Sequence, residues 1–224
     1  MKDKKLLAIY YRLFERYGPQ HWWPGDNPFE VMVGAILTQS AAWKNVEKSI
    51  SNLKKACAML PLALCQMPID ELAGLIHPSG YYNAKSAKLK ALVNWLADTC
   101  DDNLDKLFAK DVNILRRQLL SVHGVGSETA DSILLYAANK PVFVIDAYTR
   151  RIISRVGLAP RKDTYDSYQL LFMKNLPCET QLFNEYHALL VCLGKEVCRK
   201  QPFCESCCLF EICCYSKGCI VKKA

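Results

Sequence analysis

The 224-residue chain lacks long charge-free apolar stretches, internal repeats and low-complexity linkers. Its opening, MKDKKLLAIYYRLFERYG, carries Arg12, Glu15 and Arg16 inside the apolar run. That pattern has neither the uninterrupted core of a signal peptide nor the uncharged length that crosses a bilayer. The expectation is a soluble cytoplasmic protein without a membrane partner, nucleoid-associated if the source is prokaryotic. Long alternating apolar and polar runs are equally scarce, which argues against a strand-built sandwich or barrel. Nothing in the chain demands more than a monomer.

What remains is a helical chain with a basic balance. Hydrophobic residues make up 51%, enough to fill one sizeable core or two small lobes. Lys and Arg number 29 against 22 Asp and Glu, a formal charge of +7 that favours an anionic partner such as nucleic acid. Apolar residues recur every three or four positions through Leu6–Tyr17, Phe29–Leu53, Lys85–Leu96 and Ile114–Leu120, the period of an α-helix. Breaks fall at Gly18-Pro19, at residues 23–28, at Pro61, Pro68 and His77-Pro78-Ser79-Gly80, and at Pro141, Pro160 and Pro177. These predict short to medium helices joined by compact turns. The one apolar run with strand character, Pro141–Ile145, leads straight into Asp146, a good N-cap for the residues that follow.

Two segments suggest binding chemistry. Gly124-Val125-Gly126 sits between two helical patterns, where glycines permit positive φ and close backbone approach, so that N–H groups can face a phosphate oxygen. An ordinary tight helix-helix turn has the same local signature. About twenty residues later Val144-Ile145-Asp146 precedes a basic helical stretch with Arg150, Arg151 and Arg155.

Cysteine is abundant and crowded. Seven of the twelve lie between Cys198 and Cys219, and Cys198, Cys204, Cys207 and Cys213 form the pattern Cys-x5-Cys-x2-Cys-x5-Cys. Without a secretion signal, such crowding points to metal rather than disulfides. Four thiolates suit either zinc or an iron-sulfur cluster, and spacing does not choose between them. Cys208, Cys214 and Cys219 are spare thiols. Near the N-terminus, His21-Trp22-Trp23-Pro24 sets two large aromatics side by side, which a single core cannot take from a regular helix: one packs while the other stays partly exposed, or the pair forms a stacking surface.

The order Leu-x-x-x-Gly-Val-Gly-x-x-Thr-Ala, then Val-Ile-Asp-x-x-x-x-Arg, then the cysteine pattern resembles the endonuclease III superfamily of helix-hairpin-helix DNA glycosylases. Residues 22–24, Leu37-Thr38-Gln39-x-x-x-Trp43 and His77-Pro78-Ser79-Gly80-Tyr81-Tyr82-Asn83-Ala84-Lys85 are similar in particular to its 3-methyladenine DNA glycosylase III branch.

The resemblance implies an all-α fold of two helical lobes flanking a DNA-binding cleft. One lobe spans residues 25–135 and ends in the hairpin. The other joins residues 1–24 to 136–224 and carries the catalytic aspartate and a C-terminal [4Fe-4S] loop. It implies Asp146 as the catalytic carboxylate, and Cys198, Cys204, Cys207 and Cys213 as cluster ligands with a structural role. Gly124, Val125 and Gly126 would grip the DNA backbone, Gln39 would enter the gap left by the flipped nucleotide, and Trp22, Trp23, Pro24 and Trp43 would form the base pocket. The partner is double-stranded DNA with a damaged base.

Three departures qualify the match. The first cysteine gap is one residue shorter than in the best-known superfamily members. Trp43 stands where the branch has phenylalanine. Glu128 stands where bifunctional members carry the lysine that forms a Schiff base, and an acid cannot form that imine. The expected activity is therefore monofunctional hydrolysis of the N-glycosidic bond of an alkylated purine such as 3-methyladenine. The rivals are an endonuclease III-like glycosylase and AP lyase for oxidised pyrimidines, and a lesion-binding iron-sulfur protein that does not cut.

Overall fold

The computed structural model describes residues 4–218, in which every regular element is helical. The spare thiol Cys219 lies outside the described residues. In chain order the α-helices are α1 (Lys4–Tyr17), α2 (Pro28–Leu37), α3 (Trp43–Lys55), α4 (Pro61–Gln66), α5 (Ile69–Ile76) and α6 (Tyr82–Cys100). They continue with α7 (Leu104–Phe108), α8 (Val112–Leu120), α9 (Ser127–Ser132), α10 (Ala147–Val156), α11 (Tyr165–Asn175) and α12 (Thr180–Glu196). Among the described residues, no helix is long and apolar enough to cross a membrane.

Local chemistry sets the boundaries. Asn27 caps α2 through Glu30 N–H, Asp111 caps α8 through Asn113 and Ile114, and Pro28 and Pro61 open their helices, where a missing N–H costs nothing. The periodic run Phe29–Leu53, continuous by sequence, is broken in the structure. Thr38 Oγ1 donates back to Ala35 O, Ser40 takes a left-handed φ of +53°, and α3 restarts at Trp43. After α9 the backbone widens into a π-helical stretch over Ile133–Ala137 that packs on α2.

The chain divides into two compact units. Trp23–Lys140 form one; the described residues up to Trp22 together with those from Pro141 form the other. In the first, α2 is apolar except for Glu30, whose buried carboxylate meets Lys54 Nζ at 2.8 Å, and it is covered on all sides, with α3, α6 and the π-helical stretch among the elements packed on it. Arg116 grips the fully buried Asp131 with two hydrogen bonds of 2.6 and 3.0 Å, tying α8 to α9 on either side of the hairpin.

The second unit centres on an aromatic knot. Phe143 stacks on Phe172 with centroids 3.8 Å apart and meets Phe183 and Tyr186 edge-on at 5.4 and 5.7 Å. Val142 to Ile145 are buried without being helical, so the segment enters this core extended and delivers Asp146 to the start of α10. Tyr186 Oη donates to Leu6 O at 2.8 Å, fixing α1 against α12.

Candidate active site

Asp146 is the N-cap of α10: its Oδ1 accepts from Thr149 N–H at 2.7 Å, and its backbone is extended. One carboxylate oxygen is thus held while the other remains for a second task. That second oxygen, Oδ2, lies 3.8 Å from His187 Nε2, and both side chains are almost wholly buried. Burial lowers the His187 pKa below its usual value, and the neighbouring Asp146 charge opposes that shift without reversing it. No periodic or spacing signal marks His187 in the sequence; it meets Asp146 only because α12 packs on α10.

The hairpin between α8 and α9 matches the expected backbone form. Gly124 has φ +81° and its Cβ position is already filled: an added methyl would sit 2.2 Å from Lys88 Cγ. Val125 turns its side chain into the core, leaving only backbone to face outward, and Gly126 is extended and exposed ahead of Ser127. Glu128 is exposed in the first turn of α9.

Gln39 is engaged with this hairpin. Its Nε2 donates to Gly124 O at 3.0 Å and to Thr129 Oγ1 at 2.9 Å, while its Oε1 accepts from Lys88 Nζ at 2.6 Å. Beside it Lys85 is buried, donating to Leu37 O at 2.8 Å and Ser79 O at 2.7 Å, and so it secures the end of α2. Burial pushes its pKa down to about 8, helped by the charge of Lys88. Tyr81 completes this hollow. It is 73% exposed with a strained φ of +48°, a combination that sequence periodicity does not reveal.

The proposed aromatic wall is divided between the units. Trp23 packs its indole on Gly34 and meets Trp43 edge-on at 5.4 Å, so it serves as packing for α2 and a prop for Trp43. Trp43 donates from Nε1 to Glu47 Oε1 at 2.8 Å and shares a surface hollow with the exposed Pro24. Trp22 belongs to the other unit, in a hollow with Gln20, Cys192 and Lys195, whose ammonium lies 6.0 Å from the Trp22 ring centroid.

Cys198, Cys204, Cys207 and Cys213 line one small cavity, closed by apolar Val197, Pro202 and Phe210. Their chain neighbours Cys208 and Cys214 are not among the lining residues: Cys214 Sγ lies 2.5 Å from where a Gly157 Cβ would be, and the Cys208 thiol is hydrogen-bonded to that of Cys207. Arg155 Nη1 donates to Cys198 Sγ at 3.2 Å and also binds the carbonyls of Arg199 and Lys200. Arg151 holds Cys198 O and Gly194 O at 2.8 and 3.0 Å. These two arginines therefore clasp the cysteine loop, and Gly194 lacks the Cβ that would strike Tyr148 at 2.4 Å. Among the described residues no three His, Cys, Asp or Glu side chains gather about one point as a lone metal ion requires.

Comparison with known proteins agrees with this architecture. Residues 33–178 match the family model described as HhH-GPD superfamily base excision DNA repair protein. A Methanocaldococcus jannaschii protein that bears the provisional name DNA repair glycosylase is 43% identical over 217 residues, covering 95% of this chain and 99% of its own. The structure of H. pylori 3-methyladenine DNA glycosylase bound to 1,N6-ethenoadenine is similar with a TM-score of 0.73 at 28% identity, over 86% of this chain and 95% of that one. A trapped endonuclease III-DNA covalent intermediate has the same fold, with a TM-score of 0.83 at 21% identity over 97% and 98% of the two chains. The chain belongs to the HhH-GPD superfamily of base-excision repair proteins, within the endonuclease III group of helix-hairpin-helix enzymes, and is a DNA glycosylase.

Proposed function

We propose that the enzyme is monofunctional and hydrolyses the N-glycosidic bond of an alkylated purine such as 3-methyladenine in duplex DNA. The observation that carries this reading is the pairing of a fixed Asp146 with Glu128 at the hairpin position where a nucleophilic amine would be needed. As the bond from C1′ to the base nitrogen breaks, positive charge grows on the sugar. The Asp146 carboxylate stabilises that charge and takes a proton from the water whose oxygen bonds to C1′. A base already carrying a methyl-derived positive charge leaves as a neutral molecule and needs no proton from the protein.

Recognition would divide among the remaining residues. Trp43, supported by Glu47, and Trp22, beside Lys195, offer aromatic faces that suit an electron-poor purine, each contributing about 0.5–2 kcal/mol. Gly124, Val125 and Gly126 would hold a phosphate through backbone, fixing register without reading sequence. Gln39 and the exposed Tyr81 would fill the space vacated by the flipped nucleotide.

The four cavity cysteines fit a [4Fe-4S] cluster: they line one small cavity closed by apolar side chains, and four thiolates supply one ligand for each iron. When bound, the cluster would supply a covalent cross-link of the loop; the chain's own Arg151 and Arg155 orient that loop.

Duplexes bearing a methylated purine or an oxidised pyrimidine test the proposal when base release is scored with and without later alkali. Release of the methylated purine, with strand breakage only after alkali, supports it. Direct nicking at the oxidised pyrimidine would return the enzyme to the glycosylase and lyase class.

A further inference from the structure

The Lys88 side chain runs across the hairpin at the point where Gly124 has no Cβ: its Cγ, Cδ and Cε lie 2.2, 2.5 and 2.8 Å from where that Cβ would be. The stem delivers Nζ to Gln39 Oε1 at 2.6 Å, and the same amide donates to Gly124 O and Thr129 Oγ1. One glutamine is thereby tied to α6, to the hairpin and to α9. A glutamine so held cannot reach into a duplex.

We propose that Lys88 is a DNA phosphate-binding residue, and that its transfer from Gln39 to a phosphate frees Gln39 for insertion. This inference rests on the reading of Gln39 as the inserting residue and of Gly124-Val125-Gly126 as the backbone grip. A phosphate held at the hairpin arrives beside the Lys88 ammonium and is the stronger acceptor, because it adds a full negative charge to a hydrogen bond in which the Gln39 amide offers only a dipole. The nearby Lys85 adds to the pull, since two ammonium groups share the hollow with Gln39, Ser40 and Tyr81. Once the ammonium has moved, Gln39 keeps only its two bonds to Gly124 O and Thr129, both between neutral groups. Backbone capture then precedes insertion, so that the wedge deploys only where the register is already set.

Binding to an undamaged duplex as a function of salt, measured by fluorescence anisotropy, reads the phosphate contact. Insertion is read separately by 2-aminopurine opposite a lesion, at saturating protein. Lys88→Met is expected to lower the slope of log affinity against log salt by about 1, with Lys88→Arg retaining the wild-type slope. The 2-aminopurine signal of bound Lys88→Met should equal or exceed that of wild type, because one tether on Gln39 is already gone. An unchanged slope in Lys88→Met, or a weaker insertion signal at saturation, overturns the proposal. If Gln39→Ala keeps the full 2-aminopurine signal while Lys88→Met loses the slope, the insertion role of Gln39 and the release step both fail, and the Lys88 phosphate contact alone stands.

Discussion

His187 Nε2 lies 3.8 Å from Asp146 Oδ2, too far for a hydrogen bond and close enough for an ion pair once the imidazole is charged. Burial holds the His187 pKa below 6.5 and so favours the neutral imidazole near pH 7; in the proposed mechanism the Asp146 charge is then left for the sugar cation. Below pH 6.5 the unfolded chain binds a proton at this residue that the folded protein resists. Stability linked to His187 is thus complete above 6.5 and falls as pH drops toward the lower folded-state value. Denaturant unfolding at pH 7.5 and 5.5 should show this loss in the wild type and a smaller one in His187→Gln; equal losses would contradict the assignment.

Glu128 makes a sharp prediction about covalent chemistry. Borohydride should trap no adduct between the wild-type protein and a lesion duplex, because no amine stands at the hairpin position. Glu128→Lys supplies an amine on the exposed first turn of α9 and should yield a detectable trapped complex. A wild-type adduct as abundant as that of a bifunctional glycosylase would remove the basis for calling this enzyme monofunctional.

The cysteine cavity predicts which thiols matter. Cys198→Ser, Cys204→Ser, Cys207→Ser and Cys213→Ser should each lose iron and sulfide, whereas Cys208→Ser and Cys214→Ser should keep both, since neither lines the cavity. Elemental analysis of the purified protein should give about four irons per chain. One zinc and no iron would replace the cluster by a mononuclear site.

Arg116→Met tests the support of the hairpin. It removes the guanidinium from a carboxylate that is 0% exposed, and loss of one partner from a buried pair costs about 3–5 kcal/mol. Denaturant unfolding should show a loss of that order, against less than about 1 kcal/mol for Lys106→Met, whose partner Asp101 is exposed.

Local rules made much of the fold readable from sequence. The break residues, the Asp146 cap and the glycine hairpin each follow from short-range chemistry, and each is present in the structure. The break at Thr38–Ala42 was hidden because apolar period continues across it; only the left-handed Ser40 and the Thr38 back-bond end α2. His187 and Lys88 were equally hidden, since both act through contacts distant in sequence, 41 residues to Asp146 and 49 to Gln39. Arg151 and Arg155 read as part of a basic helix, yet the structure commits both to carbonyls of the cysteine loop. Charge in a sequence does not say whether protein or DNA will accept its hydrogen bonds.

The most direct test of the account is single-turnover base release by Asp146→Asn on the lesion duplex that the wild-type enzyme cleaves best. Asparagine keeps a side-chain oxygen for Thr149 N–H, so the α10 cap and DNA binding should persist while the charge is lost. The account predicts a fall on the order of a hundredfold or more. Undiminished release with binding intact would show that Asp146 only caps its helix and that the chemistry lies elsewhere.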